Sequence, residues 1–195
     1  LRTIQQTNLP SIDPSRRVLG VIRPTVECIG DLTQNRHVGI LATSGTIKSE
    51  SYLLEIEKLF PDVTVTGEAC PMWVPLVENN EYDSEGADYF VQKHIRQLLA
   101  KDPDIDTLIL GCTHYPLLIE KIRQFTPSHI RIVPQGEYVA QSLQNYFRRH
   151  PEMDNRCTKE GTCRFLTTES ETKFEESASI FLQQEDIHVE RIILE

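Results

Sequence analysis

Short apolar runs rich in β-branched residues alternate with longer stretches of helical periodicity along nearly the whole chain, and this alternation limits the folds open to it. VLGVI (18–22), HVGILAT (37–43), VTVTGEA (63–69), TLILG (107–111), IRIVP (130–134), CRFLTT (163–168) and VERIIL (189–194) read as strands. A helix is expected from about Pro24, because proline suits a first helical turn. TIKSESYLLEIEKLF (46–60) reads as one helix with Ile47, Tyr52, Leu53, Ile56 and Phe60 on a shared face. SEGADYFVQKHIRQLLAK (84–101) is the longest helical pattern, with Ser84 as its N-cap. YPLLIEKIRQF, EYVAQSLQNYFRRH (137–150) and ETKFEESASIFLQQ (171–184) complete the helices. The two prolines of CPMWVPLVENN predict an irregular loop there. The fold class is therefore α/β, with mainly parallel sheets and helices on both faces.

Composition narrows the function classes. A formal net charge of −9 with no concentrated basic stretch gives no footprint for nucleic acid, so no nucleic-acid partner is expected. No apolar run approaches the length of a membrane span, and LRTIQQTNLP lacks the pattern of a signal peptide, so a cytoplasmic location without membrane association is expected. Five scattered cysteines, at 28, 70, 112, 157 and 163, suit a reducing compartment rather than a disulfide framework. Cys157 and Cys163 lack a second ligand pair at metal spacing, and no metal is expected.

The stretch LILGCTHYPLL (108–118) carries the chemistry. If Leu108, Ile109 and Leu110 form a central strand, Gly111 ends it and Cys112, Thr113 and His114 turn over the sheet edge, where α/β proteins hold their ligands. Pro116 marks a new helix start, whose unpaired N–H groups favour an anion, either a thiolate or a bound carboxylate. A lowered Cys112 pKa is expected on that basis. His114 is close enough to orient the thiol or exchange a proton with it, and Thr113 offers a hydroxyl and an N–H. By itself the tripeptide fits equally well a small buried thiol beside a backbone-bonded histidine.

LILGCTHYPLL closely resembles the second catalytic-cysteine motif of glutamate racemases. VLGVIRPTVE, VGILATSGTIKSESY, ACPMWVPLVE and the final FLTTES segment resemble further parts of that family in the same order. The resemblance implies a parent of two similar α/β domains with the active site between them, interconverting L- and D-glutamate without pyridoxal phosphate, metal or other cofactor and supplying D-glutamate for peptidoglycan. A base on one face of the α-carbon and an acid on the other invert the centre, and two thiols can exchange these roles. On this resemblance Cys112 is one of the thiols and His114 assists it, also facing substrate. Glu78 is a carboxylate near the catalytic groups, Thr113 contacts substrate, and Thr43 and Thr46 lie near its polar end.

The family's other thiol belongs to an upstream CNT-type motif and its base-orienting aspartate to a DSG motif, and neither string occurs in these residues. The expectation is a chain lacking the front of the first domain: 1–20 a remnant of it, 21–130 the second α/β domain carrying Cys112, and 131–195 the return to the first. Such a species is expected to be inactive without the missing part, and a homodimer is among the assemblies expected of the parent. An aspartate or other amino-acid racemase of the same superfamily is the enzymatic alternative, and a non-catalytic carboxylate-binding module the alternative of another class. Cys28 and Cys70 read as structural thiols, and His37, His94, His129, His150 and His188 as surface or capping residues. Trp73 and Tyr115 flank the proposed cleft, and SETKFEESAS reads as a solvated helix face.

Overall fold

The strand β1 (His37–Ala42) is buried along all but its first residue, which requires cover on both of its faces. In the computed structural model, which describes residues 4–194, that cover is a layer of helices on each side of a parallel sheet. The chain enters through a π-helical turn (Ile4–Asn8) and the short helix α1 (Leu9–Ile12). Residues 18–21 form no strand, contrary to expectation. Leu19 and Val21 are about half exposed and have no neighbouring ladder to satisfy their backbone, and α2 (Ile22–Glu27) begins at once. Pro24 sits in its first turn, as anticipated. The short α3 (Ile29–Leu32) follows and leads to β1.

The helix expected over 46–60 is two helices, α4 (Ser44–Lys48) and α5 (Ser51–Leu59). Glu50 breaks them apart in the left-handed region at φ 52°, while the Ser49 hydroxyl bonds the Thr46 carbonyl instead of leaving the backbone to continue. Then come β2 (Thr64–Ala69) and α6 (Trp73–Glu78). The second of these replaces the irregular loop expected from its prolines. Pro75 is the third residue of α6, where the missing N–H would have had no helical acceptor, so proline does no harm. The helix α7 (Glu85–Lys101) starts at Ser84, whose hydroxyl accepts from the Ala87 N–H at 3.2 Å. After β3 (Thr107–Leu110), a 3₁₀ turn (Tyr115–Leu118) runs into α8 (Ile119–Phe125), then β4 (Arg131–Pro134) and α9 (Gly136–Arg149).

These four strands are all parallel, in the order β2-β1-β3-β4. Side chains alternate between the faces. Leu41, Leu108 and Leu110 join the cluster built with Trp73, Leu76, Val91, Ile95 and Leu98 from α6 and α7. Val38, Ile40, Ala42 and Ile109 join Val26, Ile29, Tyr52 and Ile56 from α2, α3 and α5. Each large aliphatic side chain fully buried in this way contributes about 1.5–3 kcal/mol. Because β4 pairs with β3, residues 131–134 lie in the Cys112 sheet, and the first of two compact units ends at Asn145.

The second unit contains α10 (Pro151–Asp154), β5 (Phe165–Thr167), α11 (Glu171–Leu182) and β6 (Val189–Arg191). Its two strands pair in parallel. The acidic face of α11 is mostly exposed, as anticipated, but two of its carboxylates also work on the sheet: Glu175 accepts from the Val189 N–H and Glu171 from the Arg191 N–H. Among the described residues no helix is long and apolar enough to cross a membrane.

At the N-terminal end of the sheet, Asp106 fastens the loop before β1. Its carboxylate accepts from the Thr33 hydroxyl at 2.6 Å and from the Gln34 and Asn35 N–H groups at 2.7 and 2.9 Å. Burial pushes this carboxyl up, but those donors and Thr107 outweigh it and hold it below the usual carboxylate value. A depressed folded pKa gives stability that is present above the unfolded value, about 3.9, and lost as pH falls through the folded one. Asp106→Ala should cost about 1–3 kcal/mol at pH 7 and distinctly less at pH 2. Urea titrations at the two pH values check this, and an equal loss at both would refute the linkage.

Candidate active site

Strand order creates the site. From β1 the chain moves outward to β2, then crosses back to lay β3 on the other flank of β1, so the carboxyl ends of β1 and β3 border a topological switch point. Leu41 pairs with Leu110, and the Gly111 N–H donates to the Leu41 carbonyl at 2.8 Å. The loops that begin at Thr43 and Cys112 therefore leave the sheet side by side. Gly111 is required there, since a Cβ would come 3.0 Å from the Ala42 Cβ, 3.2 Å from the Leu41 carbonyl oxygen and 3.2 Å from the Tyr52 ring. The first two belong to β1, so a side chain here would press on the neighbouring strand.

Beyond Gly111, three side chains that the sequence singled out form a chain of contacts. Cys112 Sγ lies 3.7 Å from His114 Nδ1, and His114 Nε2 lies 3.2 Å from Glu78 Oε1. Cys112 is half-buried, His114 partly buried and Glu78 exposed at the end of α6. The helix that replaced the expected loop is thus what brings Glu78 to His114. Thr113 is exposed on the same turn. Thr43 caps α4, its Oγ1 accepting from the Thr46 N–H at 3.3 Å and lying 3.0 Å from the Thr46 hydroxyl. The spacing of three between these threonines is that of an N-cap and its N3 position.

The thiol's environment differs from the expectation of a lowered pKa. Burial pushes Cys112 up; the His114 and Thr113 N–H groups pull it down without overcoming burial, and the Glu78 charge raises it further. The element that follows opens as a 3₁₀ turn, Tyr115–Leu118, and only then becomes α8. The surroundings accordingly favour the protonated thiol over the thiolate.

Beneath this turn, Tyr115 and Trp73 are fully buried with ring centroids 4.7 Å apart, so they are core residues and not a cleft surface. Cys70 is fully buried beside them, and its thiol is held far up by burial. Cys28 bonds the Pro24 carbonyl at the α2–α3 junction. Both fit the structural reading. His94, expected at the surface, is instead buried: its Nδ1 lies 2.8 Å from Glu68 Oε1, and Lys101 Nζ donates to Glu68 Oε2 at 2.6 Å. His37 bonds Asp102 at the far end of β1, remote from the thiol turn.

Gln135 escaped the sequence reading. It follows β4 and donates through Nε2 to the Leu110 carbonyl at 3.1 Å, while its Oε1 accepts from the Tyr52 hydroxyl at 2.5 Å and the Thr25 hydroxyl at 3.3 Å. The only sequence sign is a polar residue directly after the IRIVP run.

Comparison with known proteins agrees with this architecture. The sequence model described as Asp/Glu/Hydantoin racemase matches residues 16–142. The chain is 38% identical over 180 residues to a glutamate racemase of Streptococcus agalactiae, covering 91% of this chain and 66% of that protein. It is 39% identical over 182 residues to one of Enterococcus faecalis, covering 91% and 64%. A solved glutamate racemase isoform from Bacillus anthracis superposes with a TM-score of 0.83 at 28% identity, over 98% of this chain and 70% of that one. Another, from Francisella tularensis in complex with D-glutamate, gives 0.80 at 26% identity, over 98% and 70%. The chain spans about two thirds of the length of its curated relatives, 66% of the first. With the family model covering well over half of its residues, the chain belongs to the Asp/Glu/hydantoin racemase family.

Proposed function

We propose that this chain carries one half of the proton-transfer machinery of a glutamate racemase. The observation that carries the reading is the Cys112–His114–Glu78 series at the β1/β3 switch point. Removing an α-proton from an amino acid needs a strong base, and a thiol whose pKa burial has raised is a stronger base once ionised. His114, 3.7 Å away, is where the thiol proton goes, and Glu78, 3.2 Å beyond, stabilises the imidazolium that results. The Cys112 thiolate then takes the α-proton from one face of glutamate, leaving a carbanion that a second thiol, absent from these residues, protonates on the other face. In the reverse direction Cys112 is the acid.

Thr113 and the paired Thr43 and Thr46 hydroxyls hold the polar end of the substrate in this reading, because their loops leave the sheet beside the thiol. No step uses a cofactor or metal. The product would be D-glutamate for peptidoglycan, made in the cytoplasm. The 30%-range relatives are glutamate racemases in both Streptococcus and Enterococcus, which favours glutamate over aspartate.

Two measurements test the reading. In the intact enzyme, Cys112→Ser should lower racemisation by at least roughly a hundredfold, the usual scale for a lost acid–base group, as followed by optical rotation of glutamate. An unchanged rate would overturn the role given to Cys112. The purified 195-residue chain should produce no D-glutamate, since the CNT-type motif that the resemblance assigns to the other thiol does not occur in its sequence. Sustained D-glutamate formation from L-glutamate by that chain would contradict the single-base assignment.

A further inference from the structure

The last carbonyl of β3, at Leu110, stands two residues before the thiol, and a partly buried side chain from the turn after β4 grips it. Gln135 engages both ends of its amide: Nε2 donates to the Leu110 carbonyl at 3.1 Å, and Oε1 accepts from the hydroxyls of Tyr52 at 2.5 Å and Thr25 at 3.3 Å. The Tyr52 ring in turn stands where any Cβ on Gly111 would be 3.2 Å from it. Four elements, β4, β3, α5 and α2, thus meet on one amide behind the turn that presents Cys112.

We propose that Gln135 is a positioning residue for the thiol: by holding the Leu110 carbonyl and the Tyr52 hydroxyl together, it fixes the Gly111–Cys112 turn and so the place of Sγ relative to His114 and to the Thr113 and His114 N–H groups. The inference rests on the reading of Cys112 as a reacting thiol. A merely structural amide would stabilise the sheet end without affecting the sulfur. A positioning amide would affect it, because the two N–H groups that favour the thiolate are aimed by this turn. The other titratable groups that act on Cys112 or feel its charge are Glu78, Cys70, Tyr52 and Tyr115, and none of them is removed by changing Gln135.

The test is the pH dependence of Cys112 alkylation by iodoacetamide in the 195-residue chain, read peptide by peptide by mass spectrometry so that the other thiols do not interfere. Gln135→Met keeps the volume and removes all three bonds. Its alkylation midpoint should rise by about one pH unit, so that Cys112 reacts roughly tenfold more slowly below the midpoint. Tyr52→Phe keeps the ring against Gly111 and removes one bond, and it should shift the midpoint in the same direction by less. Should Gln135→Met fail to fold, as judged by its thermal transition, the Tyr52→Phe shift decides. A folded variant with an unmoved midpoint overturns the proposal while leaving the racemase reading intact. A wild-type Cys112 inert at every pH would overturn both.

Discussion

The parallel pairing of β1 with β3 is the constraint on which the rest of the first unit depends. It makes β1 a central strand, which explains why all of its residues after His37 are buried, and it demands helices on both faces. It also turns the sheet order back on itself, so that two loops distant in sequence leave the sheet as neighbours. Close approach at Gly111 is the local cost of that arrangement. The Thr43 and Cys112 loops are brought side by side by these backbone facts, on which side chains such as Gln135 then act.

Electrostatics then sets the character of the thiol. Two backbone N–H groups favour its ionised form, yet burial and the Glu78 carboxylate oppose it, and burial has the largest effect. The balance produces a group that holds its proton at rest and is strongly basic after losing it. In the proposed mechanism the histidine, bridged to a carboxylate, is the exit for that proton. The alternative solution, a permanently ionised thiol, would be a weaker base toward a carbon acid.

Much of this was legible in the sequence where a single physical signal dominates. The TLIL and HVGILA strands, the Ser84 cap and the position of Cys112 past Gly111 follow from apolar periodicity and from residue types at element ends. Where two local signals compete, the sequence misleads. Prolines argued against α6, yet Pro75 occupies a first-turn position that tolerates it. The apolar spacing of 46–60 hid the break at Glu50, which depends on serine hydroxyls bonding nearby backbone. VLGVI has strand composition but no partner strand beside it. A surface or capping place for His94 and a cleft-flanking place for Trp73 and Tyr115 give way to burial, because burial is a property of the assembled layers and not of the residue. The role of Gln135 is invisible for the same reason, since its three partners come from positions 25, 52 and 110.

The switch point also has a temporal meaning. Val38 meets Thr107 and Leu110 meets Pro134, so β3 lies between β1 and β4 although segments including α5, β2 and α7 separate it from β1 in sequence. Contacts so distant in sequence carry a large loop-closure penalty before they return any stabilisation. During synthesis, a chain emerging as far as α7 already has the Thr43 loop and the Glu78 helix but no thiol site at all. The sulfur of the proposed mechanism acquires its neighbours from β1 and α6 only when β3 is in place beside β1.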